Sequence, residues 1–536
     1  MKKTKISVAL AFALGGLPIA SANTGDTADD SASVRPVATS GPPPAADTAS
    51  ASRSDTGVAP DTGVAPDTGV TRGAGVTPDM GVMPETSVTH SGLSGPGPTP
   101  NTANAVVNAE AAQDGPVATT VSRQAQSKGL LADSHLDLLL RNYLDYSEVR
   151  DTGHRHAWVQ GAMLDYESGF TRGPIGFGAD VSFYGAFKLD GGVGAGNMVH
   201  VARHGNGANQ LAWAYPGVFD IKARISETVV KYGQLRITDN PLTGAHDNRS
   251  LPSTLRGVQV TSNEFANLSL EGGSFNGARA RGTSYLQKLS TAAGGTRFDR
   301  LTYAGANWRY AKEGTLSLYA DHAENVWKQY YGSLTQSIGD AERIKWTGVA
   351  TAYATRGDGA NRQGSIDGNA YSLSLAAQHG ANEILLAYQK ILGDQFFDYV
   401  AETSGNYLAN SMDVDYNAPH EQSLQLRYTF YGDHAGVPGL KVMVWGLQGW
   451  GADTSAEAAA NAATGAARHD LYWRNGGTLR GRHHEFGIIP TYTLQNGTMK
   501  GTRISAFLAW HVGSTHYPDT SSKAFRLVVN VPVKFF

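Results

Sequence analysis

From about residue 130 to residue 536, apolar side chains recur at every second position in short runs. In "SLQLRYTF" Leu424, Leu426, Tyr428 and Phe430 alternate with Ser423, Gln425, Arg427 and Thr429, and "YSLSLAA" repeats the pattern with Tyr371, Leu373 and Leu375. "RISAFLAWHV" sets Ile504, Ala506, Leu508 and Trp510 on one face, and the closing "AFRLVVNVPVKFF" carries Phe525, Leu527, Val529, Val531, Val533 and Phe535. Period two predicts strands with one apolar face, punctuated by turn clusters such as "RGDGANRQGSIDGN" and "QNGTMKG". At about ten residues per tilted strand, and about as many per connection, the span predicts roughly 16 to 20 strands. A soluble array of β-sandwiches and a membrane barrel both satisfy such a pattern. In the sandwich the apolar faces make a core; in the barrel they face lipid, and closure leaves no backbone group unpaired in hydrocarbon. The lack of a domain boundary, the abundant glycine, the aromatic residues near strand ends and a strand running to the last residue favour the barrel. Phe536 itself falls in phase with the polar positions of that strand, which leaves its use as an assembly signal open.

The first 128 residues read differently. "MKKTKISVALAFALGGLPIASA" (1–22) has basic Lys2, Lys3 and Lys5, an apolar run and a small-residue site at Ala20-Ser21-Ala22, the layout of an export signal cut after Ala22. An uncleaved anchor is the alternative, although the apolar run is shorter than the ~20 residues a spanning helix needs. From 23 to 128 the chain is rich in Ala, Thr, Gly, Pro, Ser and Asp, with acids outnumbering bases and no aromatic residue between Phe12 and Tyr143. It is expected to be a disordered acidic tail, because it has little apolar surface to offset the entropy of ordering. Its hexapeptide repeat, "DTGVAP" at 55–60 and 61–66 with degenerate copies after it, also fits a β-helix in period but not in bulk. A periplasmic spacer that touches the cell wall or a partner is one role for it; an inert insertion is the other.

Composition narrows the chemistry. A formal charge of −3 gives no basic surface for nucleic acid. The absence of cysteine removes disulfides, thiolate metal sites and cysteine nucleophiles. No phosphate-binding loop, nucleophile elbow or linked acid and base stands out, so no enzyme and no cofactor is expected.

Several longer stretches resemble a known family. "DSHLDLLLRNYLDYSEVRD" (133–151), "WVQGAMLDYESGFTRGPIGFGADVSFYGAFKLDGG" (158–192), "KARISETVVKYGQL" (222–235), "NRSLPSTLRGVQVTSNEFANLSLEGGSF" (248–275), "LAYQKILGDQFFDYV" (386–400) and "LANSMDVDYNAP" (408–419) follow one another as in the OprD family of substrate-specific outer-membrane porins. The resemblance covers 130–536 and omits the tail. It implies a transmembrane antiparallel β-barrel of 18 strands in the bacterial outer membrane, monomeric or weakly trimeric, built by the barrel assembly machinery and narrowed by loops folded inward. It also implies passage of small carboxylate-containing solutes, namely amino acids, small peptides or aromatic acids, along a row of inward basic residues opposite an acidic, hydroxylated patch.

The resemblance and the alternation together nominate a solute path. On the basic side stand Arg150 and Arg155 near the first hairpin, Lys222 and Arg224 between Ile221, Ala223 and Ile225, Arg249 in "NRSLP", Arg427, and Arg526 between Phe525 and Leu527. On the acidic side stand Tyr399, Ser411 and Asp415. Each of the basic residues is otherwise a solvated lumen charge. Thr491, Ser505 and Phe507 occupy positions where the family carries further basic residues, so a solute less strongly anionic, or larger and more aromatic, than basic amino acids is expected. Asp394 and Asp398 are expected to hold loop backbone, Ser226 and Glu227 to form a periplasmic turn, and "AEAAANAATGAA" (456–467) to make a helical turn in an external loop. "HRH" (His154 and His156) and "HHE" (His483, His484 and Glu485) lack zinc spacing and read as solvated loop histidines, with no metal expected. Two other functions remain as alternatives, a barrel anchoring an N-terminal passenger and an outer-membrane hydrolase.

Overall fold

A computed structural model of the chain describes residues 122–150, 153–190, 212–464, 469–474, 477–517 and 521–536. The expected export signal, and the tail as far as residue 121, lie outside the described residues.

Alternation is realised in eighteen strands: β1 (His135–Val149), β2 (Gly153–Glu167), β3 (Ile175–Asp190), β4 (Ala212–Ile225), β5 (Thr228–Leu235), β6 (Thr254–Phe265), β7 (Leu268–Arg279), β8 (Leu301–Ala311), β9 (Gly314–Ala323), β10 (Trp327–Ile338), β11 (Lys345–Gly357), β12 (Asp367–His379), β13 (Asn382–Leu392), β14 (Gln422–Tyr431), β15 (Leu440–Asp453), β16 (Arg480–Thr493), β17 (Arg503–Gly513) and β18 (Ser522–Lys534). Each pairs antiparallel with its chain neighbours in one 18-stranded sheet. β18 returns to β1, with Val533 opposite Leu138 and Ser522 opposite Val149, so the sheet closes and has no edge. The pairing runs on past the strand: Phe535 N donates to Leu136 O at 3.0 Å. Phe536 lies beyond the regular strand and is exposed, so the alternation does not fix its face.

The outward face is what hydrocarbon requires. Leu318, Leu373, Leu375, Leu386 and Leu426 are exposed, with Trp308, Tyr330, Trp346 and Trp510 nearer the strand ends. The opposite face is polar and buried, as along β14 at Ser423, Gln425, Arg427 and Thr429. One end of the barrel carries tight turns. Ser226 and Asn267 close the β4–β5 and β6–β7 hairpins with φ of 55° and 63°, the left-handed backbone a two-residue hairpin needs. The other end carries the long connections 236–253, 280–300, 393–421 and 454–479, the last containing helix α1 (Ser455–Thr464) where a helical turn was expected. Short turns face the periplasm and long loops the exterior in barrels of this kind.

Residues 122–128, assigned above to the tail, already belong to the folded unit. Gln124 is buried at the tight-turn rim, where its Nε2 donates to Thr171 O at 2.9 Å and Gly173 O at 3.0 Å while its Oε1 accepts from Arg224 Nε at 3.0 Å. Any side chain at Gly176 would collide with it, since a Cβ there would lie 2.3 Å from Gln124 Oε1.

Candidate functional site

The long connections turn into the lumen and meet there. Ser404 N of loop 393–421 donates to Gly244 O of loop 236–253 at 2.8 Å, and Ser253 Oγ donates to Glu402 O at 2.6 Å. Arg281, just after β7, locks both: its Nε donates to Glu402 Oε2 at 2.9 Å, its backbone N donates to the same oxygen at 2.8 Å, and its NH1 donates to Asn248 Oδ1. Burial opposes ionisation of Glu402, but the Arg281 charge and hydrogen bonds prevail and hold its pKa at about 2. Burial also drives the His246 pKa down to about 4, with the Glu402 charge opposing only in part. Asp398 holds backbone as expected, accepting from Ala293 N at 2.8 Å, Gly294 N at 2.9 Å and Tyr399 N at 2.8 Å. Asp394 instead faces the side chain of His420, 2.8 Å away.

Within this plug the acidic trio comes together. Asp415 Oδ2 accepts from Tyr399 OH at 2.9 Å, and its Oδ1 accepts from Ser411 Oγ and from Asn406 Nδ2 at 3.0 Å. Burial pushes the Asp415 carboxyl up, while the hydrogen bonds from Ser411, Tyr399 and Asn406 pull it down.

The basic wall is built around β18 and β1. Arg526 Nε lies 3.4 Å from Asp145 of β1, and its NH2 lies 3.4 Å from Asp413 of loop 393–421. Its guanidinium carbon lies 4.7 Å from the centroid of the Phe507 ring, and Phe507 in turn packs on Trp445. Thr491 and Ser505 face the same side, Oγ1 to Oγ at 3.0 Å. Next along the wall, Arg141 grips Asp247 with two bonds, of 2.6 and 3.0 Å, and donates to Asn530 Oδ1 and to Arg249 O. Arg249 is buried in loop 236–253, so this fork fixes that loop to the barrel.

The other nominated residues lie apart. Lys222 faces Asp180 at 2.5 Å, and Arg224 lies over Phe170 with its charge on the 122–128 turn, both towards the tight-turn rim. Arg150 is exposed at the opposite end, beside the β17–β18 connection, where its backbone N donates to Ser521 O. The side chain of Arg155 lies outside the described residues. Arg427 is buried in the wall beneath loop 393–421.

Several functional positions escaped sequence reading. Arg141 and Asp145 sit in phase between outward Leu140, Leu144 and Tyr146, but the run of leucines at 138–140 hides that phase. The reading of His483 as a solvated loop residue is overturned. β16 begins at Arg480, so His483 and Glu485 point inward while Phe486 faces out, and His483 is 1% exposed. Its Nε2 lies 2.8 Å from Glu421 Oε1 and its Nδ1 lies 2.7 Å from His511 Nε2, with the ring between Tyr416 and Tyr517. Glu485 caps Asp413 N and Val414 N at 3.1 and 3.2 Å, which places Asp413 against Arg526. Among the described residues no group of three or more His, Asp or Glu is placed to hold a metal.

The chain is similar to proteins of known architecture. A family model described as "outer membrane porin, OprD family" matches residues 128–535. Porin D of Pseudomonas aeruginosa is 34% identical over 429 residues, 77% of this chain and 94% of that one. Porin-like protein GalP of Pseudomonas putida is 31% identical, over 78% and 96% respectively. Among solved structures, Pseudomonas aeruginosa OccD3 (OpdP) matches with a TM-score of 0.67 and 34% identity over 79% of this chain and 98% of that one. OpdK of the same organism, solved with vanillate, matches with a TM-score of 0.67 and 28% identity over 76% of this chain and all of that one. With the closed 18-stranded sheet, its polar lumen and its inward loops, these similarities place the chain in the OprD family of substrate-specific outer-membrane porins.

Proposed function

We propose that the channel passes small solutes bearing one carboxylate, with aromatic acids preferred over basic amino acids. The observation that carries this reading is Arg526. A buried guanidinium, fixed from two sides by Asp145 and Asp413, lies against the Phe507 ring on the lumen side of β18. A planar cation beside an aromatic face suits a ring that ends in a carboxylate. Thr491 and Ser505 line the same wall without charge, which lowers the anion field relative to a full basic row. Vanillate, present with OpdK, is a solute of this class. Asp415 with Tyr399 and Ser411 supplies acceptors and hydroxyls for a solute's polar substituents. Residues 122–128 are pinned at the tight-turn rim, which supports the reading of the preceding segment as a spacer rather than an exported passenger.

Planar-bilayer recording with sodium salts of benzoate, glutamate and acetate tests this. Brief current interruptions are expected with benzoate, shortened in Arg526→Ala and little changed in Arg150→Ala. Interruptions of equal length with neutral benzamide would contradict the reading.

A further inference from the structure

Charge is unevenly divided along the chain. Residues 23–121 carry eleven acids against three arginines, a net charge of −8, whereas residues 122–536 carry 38 bases and 36 acids, a net charge of +2. Within 23–121 the hexapeptide repeat sets an acid at every sixth position, at Asp55, Asp61, Asp67, Asp79 and Glu85, with Gly73 the one exception. Nothing in the solute path uses this series.

The barrel fixes where that segment arrives. Gln124 lies over Gly176, where a Cβ would meet its Oε1 at 2.3 Å, and the same oxygen accepts from Arg224 Nε at 3.0 Å. Gly176 and Arg224 lie between outward Ile175, Phe177 and Ile225, so the chain comes in on the lumen side of the tight-turn rim.

The mouth at that rim has two unlike halves. On the near side Asp137 and Asp165, opposite one another in register, and Glu167 are in phase with inward Arg141 and Met163. On the far side Lys441 of β15 and Arg503 of β17 lie opposite Thr491 and Thr493 of β16, in phase with inward Met443 and Phe507. Lys441 Nζ stands 5.4 Å from the centroid of the Tyr431 ring, with the like charge of Arg503 and the opposite charge of Glu383 acting on it. Arg503 makes no ion pair among the described residues. Lys500, in the β16–β17 turn, and Lys534, at the end of β18, are exposed beside them. The one acid in the adjoining turns, Asp433, accepts from Gly439 N at 2.9 Å. An acidic segment that enters beside the acid half is repelled there and drawn across to the cationic half. Reach is ample, since about 12 extended residues span about 40 Å, on the order of the width of an 18-stranded barrel. Tethering holds the acids near the mouth at an effective concentration of order mM, so several weak pairs suffice together.

We infer that the acidic repeat at 55–85 docks on the Lys441–Arg503 half of the periplasmic mouth and there obstructs the channel of its own chain. The inference goes beyond the spacer reading, shares with it only the periplasmic placement of the segment, and does not depend on which solute the channel passes.

The test is planar-bilayer recording of the full chain in KCl at pH 7. At 0.1 M, where the Debye length is about 10 Å, the wild type is expected to show frequent partial closures, and at 1 M, where it is about 3 Å, few. Neutralising the repeat with Asp55→Asn, Asp61→Asn, Asp67→Asn, Asp79→Asn and Glu85→Gln together is expected to make closures at 0.1 M about tenfold rarer, the worth of two or three exposed ion pairs, at unchanged open conductance. Lys441→Gln/Arg503→Gln with the repeat intact is expected to do the same. Reversing both partners, with Lys441→Glu/Arg503→Glu and lysine at the five acidic positions, is expected to restore the closures, which a merely structural effect of the wall change would not do. Wild-type closures that are absent at 0.1 M, or equally frequent once the five acids are neutralised, would overturn the inference. Closures lost with the repeat variant but kept with the wall variant would overturn this docking surface. If the wall variant does not fold, Lys500→Gln/Lys534→Gln probes the same half: rarer closures support the inference and unchanged ones overturn it. Equal entry of benzoate and benzamide would sink the solute reading and leave these closures untouched, whereas proteolytic cleavage of the segment on intact cells would sink the spacer reading and this docking with it.

Discussion

Arg526 and Arg427 are the same residue in matching places. Each lies between outward apolar neighbours on its strand, each points into the lumen, and each is 2% exposed. Their surroundings differ. Arg526 is held by one acid from the neighbouring strand and another from an inward loop, over an aromatic ring; Arg427 borders hydroxyls and, among the described residues, has no carboxylate at ion-pair distance, with the Glu383 charge acting on it from further off. Strand alternation therefore decides which way a charge points, and the loops decide whether that charge is already answered. A paired arginine is rigid and partly neutralised, and binds a solute by shape and stacking. One answered only from a distance keeps more of its charge available, at a desolvation cost of its own.

The largest effect is expected where wall and loop are tied together. Arg141→Ala leaves half-buried Asp247 without its fork and is expected to cost about 1.5–3 kcal/mol, read as a lower urea midpoint and, in bilayers, as a larger and noisier conductance once loop 236–253 loosens. Glu402→Gln, which weakens the Arg281 lock, is expected to cost about 1.5–3 kcal/mol by the same urea measurement.

Acid pH probes that lock without mutation. His246 has a folded pKa of about 4, below its ordinary value, so loop closure is at full strength above about pH 6.5 and weakens as pH falls towards 4. Glu402, at about 2 when folded, keeps its contribution above about pH 4.5 and loses it as pH falls towards 2. Open-channel noise is expected to rise in two stages on acidification, and His246→Asn is expected to remove the first stage.

Smaller changes convert one wall into the other. Asp413→Asn strips an acid from Arg526 and is expected to raise anion over cation permeability by about 1 kcal/mol, or roughly fivefold, measured from reversal potentials. Phe507→Leu removes the ring against Arg526 and is expected to reduce the preference for benzoate over acetate by about 0.5–1 kcal/mol, seen as shorter benzoate interruptions.

Much of the barrel was legible because strand period and lipid exposure are local. The lumen positions of Arg427, Arg526 and Lys222 follow from their neighbours alone, as does the return of "AFRLVVNVPVKFF" to "LDLLLRN". The trio Tyr399, Ser411 and Asp415 was legible because it lies within one loop, on two neighbouring stretches of the family resemblance. What could not be read depends on loops meeting across the barrel. Arg141 reaches Asp247 106 residues away, and Arg281 reaches Glu402 121 residues away. No periodicity encodes such contacts. His483 was misplaced for a different reason: the turn-like "NGGTLRGR" before it conceals the start of β16 by a few residues, and a shift of that size moves a side chain from solvent into a stack of tyrosines.

The most direct test of a lumen that selects carboxylates through fixed arginines is vesicle swelling with a matched acid and amide, benzoate and benzamide, in the wild type and in Arg526→Ala/Arg427→Gln. Faster entry of the acid in the wild type, with the two rates converging in the double variant, is the result expected. Equal rates in the wild type, or an acid preference untouched in the double variant, would contradict the account.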